Sequence, residues 1–186
     1  MKNKDSGTVH KVFVLILLTW TVLGWCVLLT LMKAGYMEQY VEDCLLQANL
    51  AAILADPYHY GSTGELVFED VQTVKDIFEE VLQDSLGSAD TRKRLGIGEP
   101  VLIQEFRAYE VTKANITEFI YDSQGVWKTK QYDHSLVVTS PDGTVIEESS
   151  LYARIEVPIA FMFGIELKAV KEHCVDIKSE VEDEQK

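Results

Sequence analysis

From Val12 to Met32 the chain carries 21 consecutive residues without a charged side chain, and any fold must find a place for them. As a helix rising about 1.5 Å per residue, such a run crosses the roughly 30 Å hydrocarbon core of a bilayer. Phe13, Leu17, Leu18, Val22, Leu23 and Leu29 cover every face, whereas a helix in water keeps one face polar. Thr19, Thr21 and Thr30 are tolerated because a hydroxyl can bond back to the carbonyl one turn earlier. A cleaved secretory signal is shorter, about 7–15 apolar residues, and ends at a small-x-small site. Leu31-Met32-Lys33-Ala34-Gly35 offers no such site, so the run reads as a retained single-pass anchor. Lys2, Lys4 and Lys11 precede it and Lys33 alone follows closely. Positive charge favours the cytoplasmic side, which puts the N-terminus inside and the C-terminal domain outside.

Five segments follow from this reading: a cytoplasmic N-terminus (1–11), a transmembrane helix (12–32), an amphipathic spine helix (33–56), an extracytoplasmic α+β domain (57–178) and a disordered acidic tail (179–186). Met37, Tyr40, Val41, Cys44, Leu45, Ala48, Ala51, Ala52 and Ala55 recur at spacings of three and four, the signature of one apolar stripe. The spine therefore continues the membrane helix. Gly35 is its one weak point, and Asp56-Pro57 ends it. Pro57 to Gly64 reads as a loop, with Gly61-Ser62-Thr63-Gly64 as its turn. A second helix is expected from about Phe68 to Leu86, stopped by Gly87, with a polar connection through Arg92, Lys93 and Arg94 after it.

From Pro100 the period changes to two. Val101–Ile103, Phe106–Val111, Ile116–Tyr121, Val126–Tyr132, Leu151–Val157 and Ile165–Ile177 read as strands, and Leu136–Thr139 with Thr144–Glu147 as a hairpin about Ser140-Pro141-Asp142-Gly143. Short connections imply antiparallel pairing. The fold class expected is α+β: a long N-terminal helix, a second helix, then an antiparallel sheet.

Net charge is −13, which argues against nucleic acid or anionic lipid as the main partner, since both are polyanions. Three cysteines are too few for a disulfide scaffold. Cys26 lies in the membrane run. Cys44 and Cys174 fall outside it, where a bridge and two separate buried thiols are both open. His10, His59, His134 and His173 share no metal-ligand spacing, and adjacent His173-Cys174 would point to opposite faces of a strand. Gly96-Ile97-Gly98 lacks the rest of a dinucleotide fingerprint, and no nucleophile elbow or phosphate loop occurs. Asp142 with Glu147 and Glu148 could gather around calcium, but a solvated hairpin end is the plainer reading. Asn115-Ile116-Thr117 matches a glycosylation acceptor. No cofactor and no catalytic set are expected. Tyr58, Tyr60, Tyr109, Tyr121, Trp127 and Tyr132 are candidates for partner contacts or ordinary sheet residues.

Gly7-Thr8-Val9 before the long helix, the segment Gln47-Ala48-Asn49-Leu50-Ala51-Ala52 running on to Ala55, and Val157-Pro158-Ile159-Ala160-Phe161-Met162-Phe163-Gly164 before a final strand carry a resemblance. The chain resembles type IV pilin-like subunits, and more narrowly the TadE-like pseudopilins of tight-adherence (Flp-type) pilus systems. The resemblance implies a prepilin-type processing site between Gly7 and Thr8, and a role as minor pseudopilin or accessory subunit of a pilus or secretion apparatus. It implies the bilayer, other subunits and further copies of this chain as partners. Such pseudopilins carry a glutamate just inside the apolar segment; here Val12 and Phe13 stand in that zone, which fits an accessory component. A membrane-tethered extracytoplasmic ligand-binding or sensing module is the alternative.

Overall fold

The computed structural model describes residues 5–54, 66–68, 70–98, 100–160 and 166–176. The chain forms two compact units, residues 1–39 and 40–186. Helix α1 (Asp5–Ile53) runs unbroken from one into the other. The first unit, as far as it is described, is α1 alone.

In the second unit α1 is followed by α2 (Val71–Leu86) and α3 (Ala89–Leu95), then by five strands: β1 (Leu102–Val111), β2 (Asn115–Asp122), β3 (Trp127–Asp133), β4 (Ser150–Ala160) and β5 (Glu166–Asp176). All neighbours pair antiparallel in the order β3-β2-β1-β4-β5. This is the expected α+β fold with its antiparallel sheet. β1 to β3 are consecutive neighbours on one side of β1, and β4 returns to its other side after the 134–149 connection.

One face of the sheet carries Phe106, Ala108, Leu151, Ala153, Ile155 and Val157, all buried. Val41, Cys44, Leu45, Ala48 and Ala52 of α1 and Val74, Phe78, Leu82 and Leu86 of α2 are buried too, at the three-and-four spacing that puts each set on one side of its helix. The Phe78 and Phe106 rings lie 5.2 Å apart, and Trp127 meets Phe106 edge-on at 6.4 Å. Asn49 ties α1 to β5 by donating to the His173 carbonyl (3.1 Å), and Glu42 faces Lys171 at 3.5 Å.

The α2 start is set by Asp70, whose carboxylate accepts the Gln72 amide (3.0 Å) and the Thr73 hydroxyl. Gly87 caps its end, as expected. Arg92 and Lys93 lie in α3, a short helix where a polar connection was expected. Ser88 caps its start, and Gly96 closes it at φ 73°, a conformation that favours glycine. The two expected strands Val101–Ile103 and Phe106–Val111 are one strand with a bulge between Ile103 and Glu105.

The hairpin expected at 136–147 is not a ladder. Around the turn, whose Gly143 has φ 90°, the Gly143 amide bonds to the Ser140 carbonyl, the Ser140 amide to the Thr144 carbonyl and the Ile146 amide to the Val138 carbonyl, with one Thr139–Val145 bridge. The side chains of Val138 and Ile146 are buried with Tyr109, Ile116, Tyr152 and Cys174, on the sheet face away from the helices. The expected stop at Asp56-Pro57, the 57–64 loop with Tyr58 and Tyr60, residues 161–164 and the acidic tail lie outside the described residues.

Candidate functional site

Two surfaces hold chemistry. The first is the apolar half of α1. From Val12 to Met32 every large apolar side chain is exposed, between 48 % at Leu28 and 72 % at Trp20. Thr19, Thr21 and Thr30 donate to the carbonyls of Leu15, Leu17 and Cys26, each at 2.8 Å. Their hydroxyls thus need no water. Leaving an aliphatic or aromatic side chain in water instead of burying it forfeits about 1.5–3 kcal/mol, so this run holds on the order of 20–30 kcal/mol of unused driving force. The helix is long and apolar enough to cross a membrane, with a mean hydropathy of 2.5 over its most apolar window. Gly7 and Thr8, the residues of the expected processing site, belong to this same helix.

The second surface is the sheet face opposite the helices. The register puts Glu105, Arg107 and Tyr109 of β1 beside Asp122, Ile120 and Glu118 of β2, and beside Arg154, Tyr152 and Ser150 of β4. Glu118 is 2 % exposed. Its Oε1 accepts from Arg107 Nη1 (2.7 Å) and the Tyr109 hydroxyl (3.2 Å), and its Oε2 from the Tyr132 hydroxyl (2.7 Å). Glu105 holds the other side of the Arg107 guanidinium through Nε at 2.8 Å.

Burial works against the Arg107 charge, but its bonds to Glu105 and Glu118 outweigh that and raise its pKa further. Burial, then the Glu118 charge, pushes the Tyr109 phenol up, and burial with the Glu118 hydrogen bond does the same at Tyr132. Tyr152 rises by burial and by its 2.7 Å bond to Glu172. These phenols stay protonated at neutral pH, so they act as hydrogen-bond donors and not as bases. The cluster is a satisfied ion-pair network that fixes the face of the sheet.

Cys44 and Cys174, the pair whose bridging the sequence left open, are both buried free thiols. Cys44 lies against Tyr40 and Ser85, Cys174 against Ser140 and Ser150. Burial pushes the Cys174 thiol up to about 11, which leaves it protonated and unreactive at neutral pH. Asp142 is occupied: its Oδ1 accepts from the Ser140 hydroxyl and the Thr144 amide, its Oδ2 from the Cys174 amide at 2.9 Å. Among the described residues no group of three His, Cys, Asp or Glu is placed to hold a metal ion. Of the aromatic candidates, Tyr109 is fully buried, while Tyr121, Trp127 and Tyr132 are half-buried.

Sequence reasoning missed the Glu118 cluster. The signal was there in Glu105-x-Arg107-x-Tyr109, since alternate residues of a strand share a face. Comparison with known proteins finds no matching family model, no matching curated protein and no matching solved structure.

Proposed function

We propose that the chain is a single-pass membrane-anchored assembly protein, a minor pseudopilin or accessory subunit of a TadE-like pilus or secretion apparatus. The observation that carries the reading is α1: its 12–32 stretch has no charged side chain and exposes every large apolar one, and the apolar stripe of its 41–53 stretch is buried in the domain that holds the antiparallel sheet. Lys2, Lys4 and Lys11 favour a cytoplasmic N-terminus and an extracytoplasmic sheet domain.

The test is the intact mass of the protein purified from its native membrane without reductant. A mass lacking Met1–Gly7 is the expected result of prepilin-type processing. The full-length mass would favour a static anchor, and with it a tethered binding or sensing module.

A further inference from the structure

The 134–149 connection crosses the sheet face away from the helices, and both of its ends are pinned. At one end the His134 amide bonds to the Ala114 carbonyl at 3.4 Å. At the other the Ser149 hydroxyl accepts from the Val111 amide (2.9 Å) and donates to the Leu66 carbonyl (2.8 Å). Between these pins, among the described residues, the segment pairs with no strand of the sheet. Its one bridge, Thr139–Val145, is internal.

Two things hold the middle of the segment down. Val138 and Ile146 turn inward onto Tyr109, Ile116, Tyr152 and Cys174, residues of β1, β2, β4 and β5. At the tip, Asp142 Oδ2 accepts the Cys174 amide of β5, the last strand of the sheet, at 2.9 Å. Its Oδ1 accepts the Ser140 hydroxyl and the Thr144 amide, which keeps the carboxylate aimed. A hydrogen bond to a charged acceptor is about twice as strong as a neutral one, so this single contact weighs heavily. Asp176, two residues along β5, brings a second negative charge to the Cys174 thiol, and like charges work against the Asp142 bond. The sheet beneath is tied far more firmly: β1 pairs through seven residues with β2 and through seven with β4.

We propose that residues 136–147 form a hinged strap and that the Asp142 carboxylate is its latch. The strap swings out about its pinned ends while the sheet stays folded, and so uncovers the Cys174 thiol and the Tyr152 ring. A segment that buries few apolar groups and shares few backbone bonds opens at lower free energy than the core it lies on. The proposal concerns the folded domain and holds whether or not the leader is removed.

The thiols of the chain read the opening. Full-length protein in detergent micelles is treated with N-ethylmaleimide, and the rate of modification at each cysteine is mapped by peptide mass. Below the unfolding transition, labelling of Cys174 should stay nearly flat as urea rises, because local opening exposes little surface. Cys44, buried in α1 against Tyr40 and Ser85, should respond steeply, since it awaits global unfolding. Asp142→Ala should speed Cys174 labelling about tenfold or more, the equivalent of one hydrogen bond to a charged group. Asp142→Asn, which keeps an oxygen acceptor without the charge, should fall between the two. Asp70→Ala, which weakens α2 far from the strap, should speed Cys44 about fivefold and leave Cys174 unchanged. Equal urea slopes at the two thiols, or equal acceleration of both by Asp70→Ala, would overturn the proposal, because Cys174 would then open only with the whole domain. Unchanged Cys174 labelling in Asp142→Ala would overturn the latch.

Discussion

Glu118 shows how a single residue can organise a sheet face. A carboxylate withdrawn from water costs several kcal/mol unless charge and hydrogen bonds replace the water, and Arg107, Tyr109 and Tyr132 do so here. Removing Glu118 leaves Arg107 with Glu105 alone and strips the Tyr109 and Tyr132 hydroxyls of their acceptor. Glu118→Ala is therefore expected to lower stability by about 3 kcal/mol, whereas Glu118→Gln, which keeps an acceptor for the phenols, should cost less. Chemical denaturation in detergent, followed by near-ultraviolet circular dichroism, separates the two outcomes. At Cys174 the sign of the pH dependence is fixed by the shift. The thiol rises from 9.0 to about 11 on folding, so the folded state holds its proton more tightly. Its contribution is complete below pH 9 and is lost as pH climbs through 11, about 2–3 kcal/mol in all. Cys174→Ala should flatten that part of the alkaline loss, as read from urea midpoints at the two pH values.

At the scale of elements, caps and alternation decide what the sequence reveals. Asp70→Ala removes the acceptor for the Gln72 amide and the Thr73 hydroxyl and should cost about 1 kcal/mol, while Asp70→Asn should be nearly neutral; thermal unfolding of the two variants tests this. The helices and strands were readable because their apolar residues keep strict periods, with Phe78 and Leu82 four apart and Phe106 and Ala108 two apart. Three features escaped for physical reasons. The α3 helix is short and mostly polar, so it has no stripe to betray it. The 136–147 segment reads as a hairpin and its turn forms, but the pairing stops at one bridge, and the burial of Val138 and Ile146 against Tyr109 and Tyr152 is tertiary. Leu102 to Gln104 outrun β2, which ends at its Asp122–Gly125 turn; that turn has a local pattern, but the register that leaves those residues with β4 alone does not. Of the candidate site, the apolar helix was plain from composition alone, and the Glu118 cluster needed the strand pairing to bring Arg107 across to it.

For the whole molecule, charge and hydropathy act together. In the proposed topology the 12–32 run supplies the insertion energy, yet a symmetric apolar helix has no preferred direction, and the choice falls to the flanking lysines. Three precede Val12 and one follows Met32 closely, a bias that holds basic residues on the cytoplasmic side. The acidic remainder adds little to that choice, since Asp and Glu weigh weakly in topology. Replacing Lys2, Lys4 and Lys11 with Gln leaves Lys33 as the dominant flanking charge. The expected outcome is a mixed or inverted population in which the sheet domain faces the cytoplasm. Protease added to intact cells should digest the domain of the native chain and spare a growing share of the variant. Full protection of the native domain would reverse the assignment. Charged residues placed inside the run, Leu18→Lys with Val22→Lys, add about 5–7 kcal/mol to insertion and should release the protein from the membrane into the alkaline-carbonate extract. If that double variant stayed membrane-bound, something other than the 12–32 helix would have to hold it there.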